Sequence, residues 1–465
     1  MQLTLDFSNF LAAAAEGPLT VGWYLFLHGG WAIALVIILY HMWHVRMHNA
    51  QHHYLHKIKY ILLAIDVPKL NEQSTKAVEQ IFAQLYGAWD EGNALERILK
   101  GRTQESFSLE LISLEGYIQF LIHAPAHFRD LVEAAIYAQY PDASIVEVND
   151  YVSVLPKKFP SEEYNLWGTE LRLKNKNIYP IRTYPQFEHS LTQRYADPMA
   201  AMLEIMSHMG KGENIFIQWV ITPMSDDWKE EGVREVKKLI GAKVAHHASF
   251  TDQLLSPVRA VGKNATDITL YGMGVQPQTE HAAVAQNEPD SKMLYLSPGQ
   301  RLVVEGIESK ISKIGYKVKG RMLYFAKKEV YKTARGVSGI FGALRQFDAL
   351  DMNGFAPRSQ LTTYVKYFFV KYRMAYRRNM LSRAYRERSK LMGWGGGMIL
   401  NIEELATVWH FPVLEVKAPS VQMMEAKKGE PPTNLPLAPE ELEAVVGPVQ
   451  TEGAHAAPPS ENLPV

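Results

Sequence analysis

Six histidines crowd one short stretch: His41, His44, His48, His52, His53 and His56. His44, His48, His52 and His56 recur every fourth residue, so a continuous helix sets them on one face. Imidazoles at that spacing can hold a metal ion, and a histidine cluster can respond to pH. No carboxylate lies nearby in sequence to orient the rings. The same face therefore also reads as a polar, weakly charged interfacial helix, and no metal ligand is assigned. A second chemistry-bearing stretch runs from Tyr364 to Lys390. It carries Lys366, Lys371, Arg373, Arg377, Arg378, Arg383, Arg386, Arg388 and Lys390 against Glu387 alone. Tyr364, Tyr367, Phe368, Phe369, Tyr372, Tyr376 and Tyr385 are interleaved with them. Cations beside aromatic faces suit nucleic-acid backbones and stacked bases. They equally suit anionic lipid headgroups, or a solvated basic helix whose aromatics pack on its own domain.

Other signatures are missing. Gly210-Lys211 and Gly262-Lys263 have no glycine five residues upstream and no serine or threonine after them, so neither is a phosphate-cradling loop. Gly272-Met273-Gly274 lacks a third glycine at dinucleotide spacing, and Gly393 to Gly397 follows a basic helix and reads as a hinge. No nucleophile elbow and no His-Glu-x-x-His run occurs. Glu162-Glu163 and Asp226-Asp227 are adjacent pairs whose side chains point apart. With no cysteine, thiolate chemistry and disulfides are excluded. No catalytic residue and no cofactor are assigned, and the chain is expected not to be an enzyme. The 49 basic and 49 acidic residues balance, so only local asymmetry can name a partner.

The elements that must position these residues begin with an apolar run. Val21 to Val45, VGWYLFLHGGWAIALVIILYHMWHV, contains no formally charged residue. Roughly 20 helical residues cross a bilayer core, so a transmembrane helix is expected over 21–45, with a buried core helix as the alternative. Trp23, Tyr24, Tyr40 and Trp43 sit near its ends, and Gly29-Gly30 could admit a second helix. Asp6 and Glu16 precede the run, whereas Arg46, Lys57 and Lys59 follow it. The positive-inside rule then puts residues 1–20 outside the inner membrane and the bulk in the cytoplasm, as a single-pass protein. Residues 46–58 are expected to form a His-rich juxtamembrane helix.

From Lys59 the period changes. Tyr60–Val67, Ser106–Ser113, Tyr117–Ile122 and Ser144–Val148 read as strands, with helices from Asn71 and over His127–Tyr140 between them. That order is βαββαβ, a ferredoxin-like domain over 59–151. A second, related α+β domain is expected over 152–370, with strands at Thr169–Leu173, Ile215–Ile221, Tyr316–Phe325 and Tyr364–Phe369. Its insertion, 241–292, lacks periodicity and reads as a mobile loop. A basic helix and connector fill 371–417. The proline-rich tail, 418–465, reads as disordered.

The connector holds Ile399-Leu-Asn-Ile-Glu-Glu-Leu-Ala-Thr-Val-Trp-His-Phe-Pro412, then Val416-Lys-Ala-Pro419 and Glu425-Ala-Lys-Lys-Gly-Glu-Pro-Pro-Thr-Asn-Leu-Pro436. Asn401 can cap a helix and Glu404 completes a box-like start. This resembles the connector ahead of the motor domain in membrane-anchored ATPases related to type IV secretion coupling proteins. Val78–Tyr86, Glu110–Ser113 and Phe128–Asp150 are similar to their N-terminal module. The resemblance spans most of 57–436 and stops where those relatives begin their motor. It implies a non-catalytic, membrane-anchored platform for a DNA- or protein-transfer machine, homo-oligomeric, docking a separately encoded P-loop ATPase. Glu403 and Glu404 with Trp409 and Phe411 as buried anchors are the expected docking residues. The alternative is a membrane-tethered nucleic-acid-binding protein using 364–390.

Overall fold

A computed structural model describes residues 15, 17–27, 31–68, 73–90, 92–187, 197–241, 296–393 and 395–412. The insertion (apart from Gly241), the tail, the Gly29-Gly30 pair and the Val416–Pro436 part of the connector lie outside the described residues. The first helices given among the described residues are α1 (Pro18–Leu25) and α2 (Trp31–Lys57). Then come β1 (Tyr60–Asp66), α3 (Thr75–Leu85), α4 (Ala94–Lys100), β2 (Phe107–Leu114), β3 (Tyr117–Pro125), α5 (Arg129–Tyr137) and β4 (Ser144–Glu147). The second half runs β5 (Tyr164–Leu173), α6 (Ala200–Ser207), β6 (Glu213–Pro223), α7 (Trp228–Leu239), α8 (Pro298–Ile311), β7 (Gly315–Lys327), α9 (Gly339–Leu344) and β8 (Phe355–Pro357). It closes with α10 (Val370–Arg386), β9 (Met398–Asn401) and α11 (Ile402–Val408).

Among the described residues, no helix is long and apolar enough to cross a membrane. This corrects the crossing expected over 21–45, and with it the single-pass inner-membrane placement. The described part of the run belongs to α1 and α2. α1 ends at Leu25, and α2 starts at Trp31 and stays apolar only as far as Tyr40 before His41, His44, Arg46 and His48 enter. α2 buries none of its residues, and its apolar first half is largely exposed. Its second half meets the body at Gly101, the left-handed residue that ends α4 (φ 69°). A Cβ there would lie 2.3 Å from the Ala50 carbonyl carbon, so the contact requires glycine.

The α+β class holds, as mixed helices on an antiparallel sheet. The nine-stranded sheet runs β4-β1-β3-β2-β6-β7-β5-β8, with β9 added to β7. In each half the chain's first strand lies between its third and fourth, the order of a split βαββαβ unit. The halves join through their second strands. β2 and β6 pair antiparallel from Phe107↔Ile221 to Leu114↔Asn214, so neither strand is left as a free edge. The fourth strand of the second half is β8, not Tyr364–Phe369. That segment cannot extend, because Phe368 and Phe369 adopt left-handed backbone (φ 44° and 50°).

Alternation along the strands feeds two cores. Leu63 and Ile65, with Leu109, Leu111, Ile217 and Trp219, face α3, α5, α6, α9 and α11. The opposite face carries Leu62, Ala64, Ile112, Phe216, Leu323 and Phe325. Leu381 and Tyr385 of α10, with Tyr151, Leu155 and Phe159, cover it. Gly168 makes room for α10: a Cβ there would lie 2.6 Å from Leu381 Cδ2. α10 therefore crosses the sheet face that a single split βαββαβ unit leaves open.

Candidate nucleic-acid interface

Beyond β8 the chain is pinned to β5 before it turns outward. The Gly168 amide donates to Thr363 Oγ1 (2.9 Å), and the Thr363 amide donates to the Gly168 carbonyl (3.0 Å). Leu361 and Val365 are buried beneath. From there Tyr364, Lys366, Tyr367, Phe368 and Phe369 face solvent, followed on the first turns of α10 by Lys371, Tyr372, Arg373 and Tyr376. Phe368 and Phe369 are each 82% exposed. Two adjacent left-handed phenylalanines cost about 1–2 kcal/mol each. Hydrogen bonds from the helix hold the segment in place. Arg373 Nη1 donates to the Tyr367 carbonyl (2.8 Å), and Arg377 Nη1 donates to those of Ser359 (3.0 Å), Thr362 (2.8 Å) and Tyr364 (3.2 Å).

The result is a knuckle of outward rings with Lys366, Lys371 and Arg373 among them. Lys366 Nζ lies 5.9 Å from the Tyr364 ring centroid. The first turn of α10 holds no acidic residue, so the partial positive charge of its N-terminus adds to the cations. Planar rings offer stacking faces, and these charges offer partners to phosphate.

The rest of the basic stretch has other employment. Arg378 is half-buried near Tyr331, and desolvation lowers its pKa. Arg383 Nε donates to Glu387 Oε1 (2.7 Å). Arg386 binds the carbonyls of Pro156 and Lys157, each at 3.1 Å. Arg388 is buried. Its Nε donates to Glu110 Oε1 (2.8 Å) and its Nη1 to Asp150 Oδ2 (2.7 Å). Glu110 also accepts from Ser108 (2.7 Å), Tyr151 (2.8 Å) and Gln218 (3.0 Å), which makes it the hub beneath α10. Thus Lys371 and Arg373 share the knuckle, Arg377 folds it, and Arg378, Arg383, Arg386 and Arg388 lie apart from it. The hub was missed from sequence. Its signal was a lone carboxylate midway along the apolar strand FSLELISL.

The expected docking residues are also placed otherwise. Asn401 and Glu404 form a reciprocal capping box that starts α11. Glu404 Oε2 lies 3.0 Å from Lys310 Nζ, both side chains fully buried, and Glu404 Oε1 accepts from the Ile181 amide (3.0 Å). Glu403 pairs with Lys313. Trp409 is fully buried, its ring 5.8 Å from Phe120 and 5.2 Å from Phe411, and Phe411 packs 5.1 Å from Tyr140. Trp409 and Phe411 are anchors in this chain's own core, unavailable to a partner in this fold. The connector's apolar face packs on the sheet face beside it.

Among the described residues, His52, His56 and Glu387 form a group of side chains close enough to share an ion. The fold defines the class: an α+β protein of two fused split βαββαβ halves, crossed by a helix that lifts an aromatic and basic knuckle into solvent. The chain belongs to the family described as Domain of unknown function (DUF8128), matched over residues 93–424. That description carries no activity. No curated protein matches the chain.

Proposed function

We propose that this chain is a non-catalytic binding subunit that holds single-stranded nucleic acid on the knuckle at 364–376. The exposed, backbone-strained Phe368-Phe369 pair carries the reading. In the same segment Tyr364, Tyr367, Tyr372, Tyr376, Lys366, Lys371 and Arg373 are also exposed. Strain of this kind persists where the surrounding structure enforces it, and such positions cluster at binding sites. The resemblance to the pre-motor region of coupling-protein-like ATPases supports a setting in nucleic-acid transfer. A second reading, docking of a separately encoded P-loop ATPase, takes support from the same apolar pair, since adjacent exposed phenylalanines also suit a protein interface.

Fluorescence anisotropy with a labelled oligothymidylate tests the first reading. Binding should weaken steeply with salt. Lys366→Ala, Lys371→Ala and Arg373→Ala together should flatten the slope of log K on log salt by about 0.7 per lost contact. Tyr367→Ala with Tyr372→Ala should weaken binding by about 1–3 kcal/mol per lost stacked base. Absence of binding, or binding indifferent to both variants, refutes it. If the same variants instead release a P-loop ATPase, the second reading stands.

A further inference from the structure

We propose that His52, His56 and Glu387 form a divalent-cation site of the zinc class, which fastens α2 to the end of α10. The two histidines lie one turn apart on α2, and their Nε2 atoms are 3.3 Å from each other. Tetrahedral zinc bonds of about 2.0–2.1 Å set neighbouring nitrogens roughly 3.3 Å apart, so both rings already stand at ligand separation. Glu387 Oε2 lies 3.8 Å from His52 Nε2, and the three ligand atoms all fall within 4.8 Å of one another. The carboxylate absent from the neighbourhood of the histidines in sequence thus arrives from the far end of the fold.

The carboxylate is also oriented. Arg383 Nε donates to Glu387 Oε1 (2.7 Å), leaving Oε2 as the oxygen toward His52. Such outer hydrogen bonds fix the direction of a ligand. All three residues border a cavity of about 290 Å³, shared with Tyr60, His123 and Lys390. Three protein ligands facing open space leave the fourth position of a tetrahedral ion to water or a small donor. Two imidazoles and one carboxylate select a borderline cation over calcium or magnesium, which prefer oxygen-rich shells. Bound there, the ion would join α2, whose residues are otherwise unburied, to the body.

The test uses the full chain without a histidine tag, stripped with chelator. Zinc(II) is titrated by calorimetry, and cobalt(II) by its visible absorption. One ion should bind, with the intense absorption of tetrahedral cobalt, and zinc should protect α2 from limited proteolysis. Glu387→Gln, nearly isosteric, and His52→Gln should each weaken zinc binding at least tenfold. The paired substitution His44→Gln with His48→Gln, on the same helix face, should leave it unchanged. Circular dichroism establishes that each variant is folded. Failure of zinc to bind, or equal binding by wild type and Glu387→Gln, overturns the proposal. Loss of binding in the His44/His48 variant with retention in Glu387→Gln overturns it too, by placing the ion elsewhere on α2.

Discussion

Arg388 and Lys390 close the basic stretch and meet opposite electrostatic fates. Arg388 finds Glu110 and Asp150, and although burial opposes its charge, those carboxylates hold its pKa well above the usual value. Removing it strands Glu110, which is fully buried. Arg388→Ala should therefore cost about 3–5 kcal/mol in urea unfolding. A loss under 1 kcal/mol would show that the hub does not depend on the pair. Lys390 donates to Thr103 and to the Gln104 carbonyl, which are neutral. Burial pushes its pKa down from 10.5 to about 7, with Glu105 only partly countering. Between those values the unfolded chain holds a proton the folded chain lacks, so stability rises with pH across that window. Below about 7 both states are charged and the contribution is flat. Lys319, lowered to about 8 by burial, adds a slope of the same sign. Lys390→Met should shrink the rise in urea midpoint between about pH 7 and about pH 9. An unchanged rise would mean that Lys390 is solvated. Composition marked both side chains only as cations, because an amino acid's type does not say what faces it.

At the level of elements, α11 is the clearest test of whether the connector serves a partner or its own fold. Its capping box was legible, since Asn401 and Glu404 lie within one turn and interact through local backbone geometry. The destination of its apolar face was not, because amphipathic helices look alike whether they pack at home or on another protein. Trp409→Ala should lower stability by about 3–5 kcal/mol, read by chemical denaturation. A surface anchor would leave stability almost unchanged. Glu404→Ala strands Lys310 and unpairs the Ile181 and Asn401 amides, so it should be destabilising by a similar amount, and adding Lys310→Met should recover the part due to the unpaired charge. If the double variant is no better than Glu404→Ala, the two side chains are not energetically coupled. α10 teaches the same lesson along its length. Its first turns face water and its last turns lie across the sheet, although the sequence is basic throughout.

For the whole molecule, the β2–β6 seam turns two half-sheets into one. Each half lends the other its second strand's free edge, and α10 of the second half roofs strands of the first through the Glu110–Arg388 hub. The halves should therefore unfold together. Far-ultraviolet circular dichroism and the fluorescence of the tryptophans, of which Trp219 lies in the seam strand β6, should follow one urea transition. Two separated transitions would show that the halves are independent domains.

What could be read from sequence alone was local: the apolar run of β1, the alternation of β2, the strand β3, the helical periods between them, and the cap at Asn401. Each is written within a few residues, where backbone geometry and side-chain period are coupled directly. The tertiary structure decided the rest: that α2 buries none of its residues, that Trp409 packs inward, and that Glu387 arrives beside His52. It also separated the outward cations of α10 from the paired ones. These outcomes depend on which distant segment packs best on a surface, and burial and charge compensation are properties of that pairing, not of the residues that enter it.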